Sequence, residues 1–336
     1  MMLRIPRQED TRFAYAIGRV RALENRLLDR QRVERLLDAE TPSELLNLLQ
    51  DTDYGRYIPE LSSPSEFEKM LRAERKRVVE LFEKLSPVKE LTYEIRRPYD
   101  FHNIKVLLKA KITESNFDYA LYDIGNIPIP ELKRIFDSES YQKLPIDLQN
   151  TVETAIERFY ISNKDPKILS ETVDEAAARY LTLCDSSVFL KFYRKAEIDL
   201  INFKTLVRVK AFSHADISRV YFVEGGTISV GEYRRALSDS LESIPHRFFT
   251  TPYYKILEDG INFYKRTKSF SRLEKLFDDF LVEILRLTRY IDLGPEPLIA
   301  YLFAKFNEIK VLRMIFVGKL NRISKEKIKE RLPNVF

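Results

Sequence analysis

Along YDFHNIKVLLKAKI, residues 99–112, the apolar residues Ile104, Leu107, Leu108 and Ile112 fall at i, i+3, i+4 and i+8, one stripe of a helix. Lys105 and Lys109 form an i,i+4 basic stripe away from that apolar face. The pattern returns in EIDLINFKTLVRVKAF, residues 197–212, where Phe203, Leu206, Val207 and Ala211 repeat the spacing and Lys204 and Arg208 repeat the basic stripe. With Lys310 aligned on Lys105 and Lys204, a third copy keeps Ile309, Leu312 and Val317 and puts Arg313 at the fourth position. Each copy follows a long amphipathic stretch, at 65–85, 173–196 and 271–291, and precedes a turn and a short helix, at 123–135, 223–237 and 317–332.

The short helices carry start signals. Pro130, Ser229 and Ser324 stand where each begins, with Glu131, Glu232 and Glu326 in the first turn, where a carboxylate meets the positive end of the helix dipole. Thr41, Pro42 and Glu44 make a further partial copy, and aromatic tags recur at 52–61, 139–145 and 251–260. The order predicts an all-α protein of three similar helical modules, 10–112, 113–212 and 213–336. Three large modules close more naturally into a pseudo-threefold body than into a long solenoid.

Composition agrees with helices. Only 9 of 336 residues are Gly, and Leu, Glu, Lys and Arg abound. The 56 basic and 51 acidic residues are interleaved, and the net charge of +5 is too weak an excess to argue a nucleic-acid face. The densest basic run, RAERKRVVE at 72–80, lies among Glu66, Glu68, Glu80 and Glu83, and i,i+4 pairing along a solvated face is the expectation there. Cys184 stands alone, which excludes an internal disulfide and predicts a small buried residue. The longest apolar run, PLIAYLFA at 297–304, is too short to span a bilayer and reads as a core helix, and the charged MMLRIPRQED start lacks the apolar region of a signal peptide. A cytoplasmic chain that meets a membrane only at its surface, or through another protein, is the expectation.

No motif for chemistry emerges. EGGTIS at 224–229 lacks the Lys and the preceding strand of a phosphate loop, so Gly225 and Gly226 read as a helix-ending turn. G-x-S-x-G, H-E-x-x-H and C-x-x-C are absent, and His102, His214 and His246 have no second ligand at helical spacing, which reads as surface or helix-end histidines. No catalytic residue, cofactor site or metal site is expected. Asp100 with Asn103, and Asp199 with Asn202, read as caps that set a helix start. For Lys105, Lys109, Lys204, Arg208, Lys310 and Arg313 two readings stand: a solvated face, or an inner surface shared by the modules and facing an acidic partner.

The segments FAYAIGRVRALENRLLD (13–29), TPSELLNLLQDTDYGRYI (41–58), the two repeats above and the ending YLFAKFNEIKVLRMIFVGKLNRISKEKIKERL (301–332) resemble the C subunit of the archaeal and bacterial V-type (A-type) ATPase and ATP synthase family, similar to the d subunit of the eukaryotic vacuolar pump. The resemblance spans nearly the whole chain. It implies a funnel of three helical domains, monomeric within its complex, that sits on the membrane proteolipid rotor ring at the cytoplasmic side. Its cavity would receive the shaft made of the D and F subunits, coupling ATP hydrolysis or synthesis to ion translocation without catalysis, cofactor or membrane span of its own. Helices starting near Asp100, Asp199 and Pro297 would then line the socket, with Lys105, Lys204, Lys310 and Arg313 near the shaft. The competing expectation is a helical scaffold that binds nucleic acid or an acidic protein partner.

Overall fold

A computed structural model describes residues 4–212 and 220–336, and every regular element among them is a helix. Met1–Leu3 and 213–219, and with them His214, lie outside the described residues. The chain divides into two compact units, one of 88–186 and one of 1–87 with 187–336.

The larger unit begins with α1 (Ala14–Glu24), α2 (Arg30–Asp38), α3 (Pro42–Leu49) and α4 (Phe67–Leu85). Thr41 caps α3 by accepting from the Glu44 backbone N–H, and the Glu44 carboxylate reaches back to the N–H of Glu40 at 2.7 Å, so the partial copy read at 41–44 is a helix start. On α4, Arg72 pairs with Glu68 at i,i+4, as the charge spacing predicts, and Lys69, just before the basic run, pairs with Glu66 at i,i+3. Glu74 of the same basic run departs from the expected solvated face, because it is fully buried.

The smaller unit holds α5 (Lys89–Thr113), α6 (Ile129–Asp137), α7 (Ile146–Ile161) and α8 (Pro166–Tyr180). Helix α5 packs against α6, α7 and α8, and Ile104 and Leu108 enter a core with Leu132, Leu148, Val152 and Leu169. The expected module boundary at 112/113 therefore falls inside this unit, between α5 and the helices it packs on. Cys184 is buried beside Tyr180, as a small core residue should be.

The larger unit resumes with α9 (Val188–Ala211), α10 (Val230–Ala236), α11 (Ile244–Arg247), α12 (Tyr254–Thr267), α13 (Ser271–Arg286), α14 (Glu296–Leu320) and α15 (Lys325–Arg331). Ser229 and Ser324 are the N-cap residues of α10 and α15, and Glu232 and Glu326 lie in the first turns. The apolar run at 297–304 is buried along its whole length, with Ile309, Leu312, Ile315 and Phe316 continuing it against α2, α3 and α4. Each such aliphatic side chain contributes roughly 1.5–3 kcal/mol. Val317, expected in the stripe, is 42% exposed. At i+8 from Ile309 the position has rotated about 80° off the stripe at 100° per residue, and Ile315 and Phe316 fill the core instead.

Candidate functional site

Three long helices of near-equal length, α5 (25 residues), α9 (24) and α14 (25), carry the repeat, and each holds a neighbouring segment through the same pair of positions. Asn103 donates from Nδ2 to the Tyr122 carbonyl and accepts the Tyr122 N–H at Oδ1, both at 2.9 Å. Asn202 does the same to Val223, both at 2.8 Å. A buried Asn that satisfies both backbone groups of one residue supplies the pairing which an irregular segment otherwise lacks. On α14 the equivalent position is Glu308, whose Oε2 accepts the N–H of Leu28 at 2.6 Å.

Three residues earlier on each helix stands the second brace. Asp100 accepts from Ile127 N–H and Asn126 Nδ2, both at 3.1 Å, and faces Arg97. Asp199 accepts from the backbone N–H groups of Thr227 (3.0 Å) and Ile228 (3.2 Å), the hydroxyls of Tyr233 (3.1 Å) and Tyr253 (2.9 Å), and the Thr227 hydroxyl. Burial pushes both carboxyls above the usual aspartate range despite these donors. The segments wrap so closely that a Cβ at Gly125 would stand 2.3 Å from Asp100 Oδ1, and one at Gly226 2.2 Å from Asp199 Oδ1. Gly225 adds a left-handed φ of 91°. These glycines do not end a helix, since α9 stops at Ala211; they let the segment before α10 fold over Asp199.

The four residues read as helix starts are thus interior. Helices α5 and α9 begin at Lys89 and Val188, about three to four turns earlier, because Leu91, Ile95, Phe189 and Leu190 already bury those turns. Local capping logic found polar residues with a backbone task, and the task is tertiary.

On α14 the second brace is ionic. Lys305, fully buried, lies 2.7 Å from Glu308, 3.3 Å from Asp53 and 3.4 Å from Glu74. Arg77 pairs with Glu74 at 2.7 Å, Arg26 with Asp53 at 2.6 Å, and the Tyr54 hydroxyl donates to Glu308 at 2.8 Å. Burial alone would lower the Lys305 pKa, but Glu308 and Glu74 outweigh it and hold the ammonium charged. Burial and Glu74, to which its hydroxyl donates, push Tyr57 up to about 12. Tyr54 and Tyr253 come from the aromatic tags at 52–61 and 251–260 and are set alike: Thr52 and Thr251 each accept the N–H of the tyrosine two residues on, and each tyrosine meets a buried carboxylate of a long helix.

The six stripe cations separate into two groups. In the smaller unit Lys105 pairs with Asp174 at 2.6 Å, while Lys109 makes no ion pair among the described residues. In the larger unit Lys204 and Arg208 of α9 meet Glu274 at 3.4 and 2.7 Å, and Lys310 of α14 meets Asp278 at 2.7 Å. Arg331 bridges those two carboxylates, and Arg313 pairs with Glu68. Burial would raise Glu274, but Lys204 and Arg331 hold it below the usual glutamate range. His102, in the interior of α5, contacts the Ala120 carbonyl at 3.0 Å, and His246 is exposed on α11. Among the described residues no group of three His, Cys, Asp or Glu is placed to hold a metal ion, and no helix is long and apolar enough to cross a membrane. The arrangement braces helices.

Comparison with known proteins adds the family. Residues 16–331 match the ATP synthase (C/AC39) subunit model. The chain is 26% identical to the A-type ATP synthase C subunit of Methanocaldococcus jannaschii, over 95% of this chain and 86% of that protein. It is also 26% identical to the V-type sodium ATPase C subunit of Enterococcus hirae, over 94% and 97%, and 24% identical to the A-type ATP synthase C subunit of Pyrococcus furiosus, over 95% and 90%.

Proposed function

Because the chain belongs to the ATP synthase (C/AC39) subunit family, we propose that it is the non-catalytic C subunit in the central stalk of a rotary ATPase or ATP synthase. In this reading it is a socket that joins a shaft of the D and F subunits to a membrane proteolipid ring, peripheral on the cytoplasmic side. The observation that carries the reading is the family match over nearly the whole chain, with relatives that are themselves covered almost end to end. A part that transmits torque needs stiff walls, and the buried braces on α5, α9 and α14 are consistent with that demand.

We also propose that each module is led by its long helix. The segments braced by α5 and α9 follow those helices, whereas the segment braced by α14 comes from the N-terminal residues, so the third module joins both ends of the chain. Nucleic-acid binding draws little support, since among the described residues five of the six stripe cations are engaged by carboxylates and only Lys109 is not.

The test is a pull-down of the tagged subunit from solubilised membranes. Recovery of a small proteolipid together with the shaft subunits is the expected result, and their absence overturns the socket. Lys109→Glu is the cleanest charge reversal, because it frees no intramolecular carboxylate among the described residues; Lys105→Glu also releases Asp174, and Lys204→Glu sets a carboxylate against Glu274, which Arg208 and Arg331 still hold. Weaker shaft capture, most pronounced at low salt, is expected. Unchanged capture by folded variants removes these residues from the contact.

A further inference from the structure

In the larger unit, away from the braces, α2, α13, α15 and the C-terminal residues 332–335 enclose a cavity of about 470 Å³. Five cations line it, Arg30 from α2, Arg272, Lys275 and Arg286 from α13 and Lys329 from α15, against the single carboxylate of Glu34. Glu34 is taken by Lys329 at 2.7 Å. The other carboxylates that meet these cations, Asp259, Asp279 and Glu283, are not part of the lining. Arg30 forms no ion pair among the described residues, and Arg286 Nε is buried without a hydrogen-bond partner although the rest of its guanidinium meets Glu283 and the Val335 carbonyl.

We propose that this cavity is a binding site for a compact phosphate-bearing anion of two or more negative charges. Guanidinium groups that line one cavity from two helices suit an anion with several oxygens, which takes paired N–H donors, better than a single carboxylate. The volume admits a pyrophosphate-sized group with room left for water or for a larger substituent on the phosphate. Burial lowers the Lys275 pKa, Asp279 opposes that, and Arg272, Arg331 and Arg30 add to the lowering. Such a group can come free from solution or as the headgroup of an anionic lipid. The inference is independent of the rotor reading.

The experiment uses the full chain. Pyrophosphate is titrated by calorimetry and by thermal shift at low salt, against sodium chloride of equal ionic strength. In parallel, sedimentation is measured with vesicles of cardiolipin, whose headgroup carries two phosphates, in phosphatidylcholine and of phosphatidylcholine alone. Saturable one-to-one binding with a raised Tm is expected, weakened about tenfold or more in Arg30→Gln/Arg272→Gln, two charged contacts being lost. It should persist in Lys167→Gln/Lys191→Gln, which removes the same charge from exposed positions elsewhere. Arg30→Gln alone unpairs no carboxylate among the described residues, so it reports on the cavity even where the double variant misfolds. Vesicle binding that needs these arginines, without pyrophosphate binding, assigns the phosphate to a lipid headgroup. Silence in both arms, or binding equal in the cavity variants, overturns the site.

Discussion

Replacing Lys305 by Met removes the cation that is fully buried among the carboxylates of Asp53, Glu74 and Glu308. Arg77 still pairs with Glu74 and Arg26 with Asp53, but Glu308 loses its only ion-pair partner among the described residues and keeps just the Leu28 N–H and the Tyr54 hydroxyl. Methionine matches the lysine stem in volume, so the change isolates charge from packing. Removing one member of a buried ion cluster destabilises by about 3–5 kcal/mol, since the remaining charge stays desolvated and unpaired. For a protein of this size that lowers Tm by roughly 4–7 °C, read by calorimetry at pH 7. The pH dependence gives an independent check. In the variant a desolvated carboxylate without a cation is relieved by taking up a proton, so the penalty is largest at neutral pH. The gap between wild type and Lys305→Met must therefore narrow on acidification, and adding Glu308→Gln must recover part of it at pH 7. A gap below about 1 kcal/mol at pH 7, or one that stays constant on acidification, refutes the assignment of the cluster as a net stabilising brace.

Asn202→Ala leaves a buried N–H and C=O of Val223 without partners and should cost about 2 kcal/mol in urea unfolding, with Asn103→Ala comparable at Tyr122. Gly226→Ala drives a methyl into the Asp199 carboxylate and should destabilise by roughly 1–3 kcal/mol, whereas Gly18→Ala, with open space around it, should not destabilise. Asp199 has a folded pKa above its unfolded value, so its contribution is unfavourable above that pKa and is relieved as pH falls through it. Stability of the wild type should accordingly rise relative to Asp199→Asn as pH falls toward the ordinary aspartate range, and parallel pH profiles would exclude the shift. A fragment of residues 88–186 should give a helical spectrum and a cooperative melt by itself, because α5 to α8 surround their own core; a non-cooperative melt would deny it that autonomy.

Much of this architecture could be read from periodicity. Apolar spacing located α5, α9 and α14, and start signals located α3, α10 and α15, because both follow from local geometry. The failures share one cause. Asp100 and Asn103 have the chemistry of caps, and a sequence cannot distinguish a side chain that bonds a backbone three residues away from one that bonds Tyr122 or Ile127 across a turn. Glu74 looked solvated since its neighbours are charged, yet its partner Lys305 lies more than two hundred residues on. One signal was present all the same. With Lys310 aligned on Lys105 and Lys204, Lys305 falls at the place of Asp100 and Asp199, and Glu308 at the place of Asn103 and Asn202. Polar residues recurring at two fixed positions within three buried helices mark a repeated tertiary task, even where the residue types change.

The change of type in the third copy follows from chain topology. Asn103 and Asn202 hold segments 19 and 21 residues away, whereas Glu308 holds Leu28 across 280 residues. Loop-closure entropy grows only as the logarithm of length, so this longer closure adds about 2 kcal/mol to the folding cost. An amide brace makes two hydrogen bonds, roughly 2 kcal/mol net together, and the aspartate brace beside it adds to that. The α14 site meets its longer closure with hydrogen bonds to Glu308 from Lys305, Leu28 and Tyr54, one from Tyr57 to Glu74, and the ion pairs of Lys305 with Asp53 and Glu74. The ionic cluster is the form the same brace takes at the one copy where the segment it holds is distant in sequence.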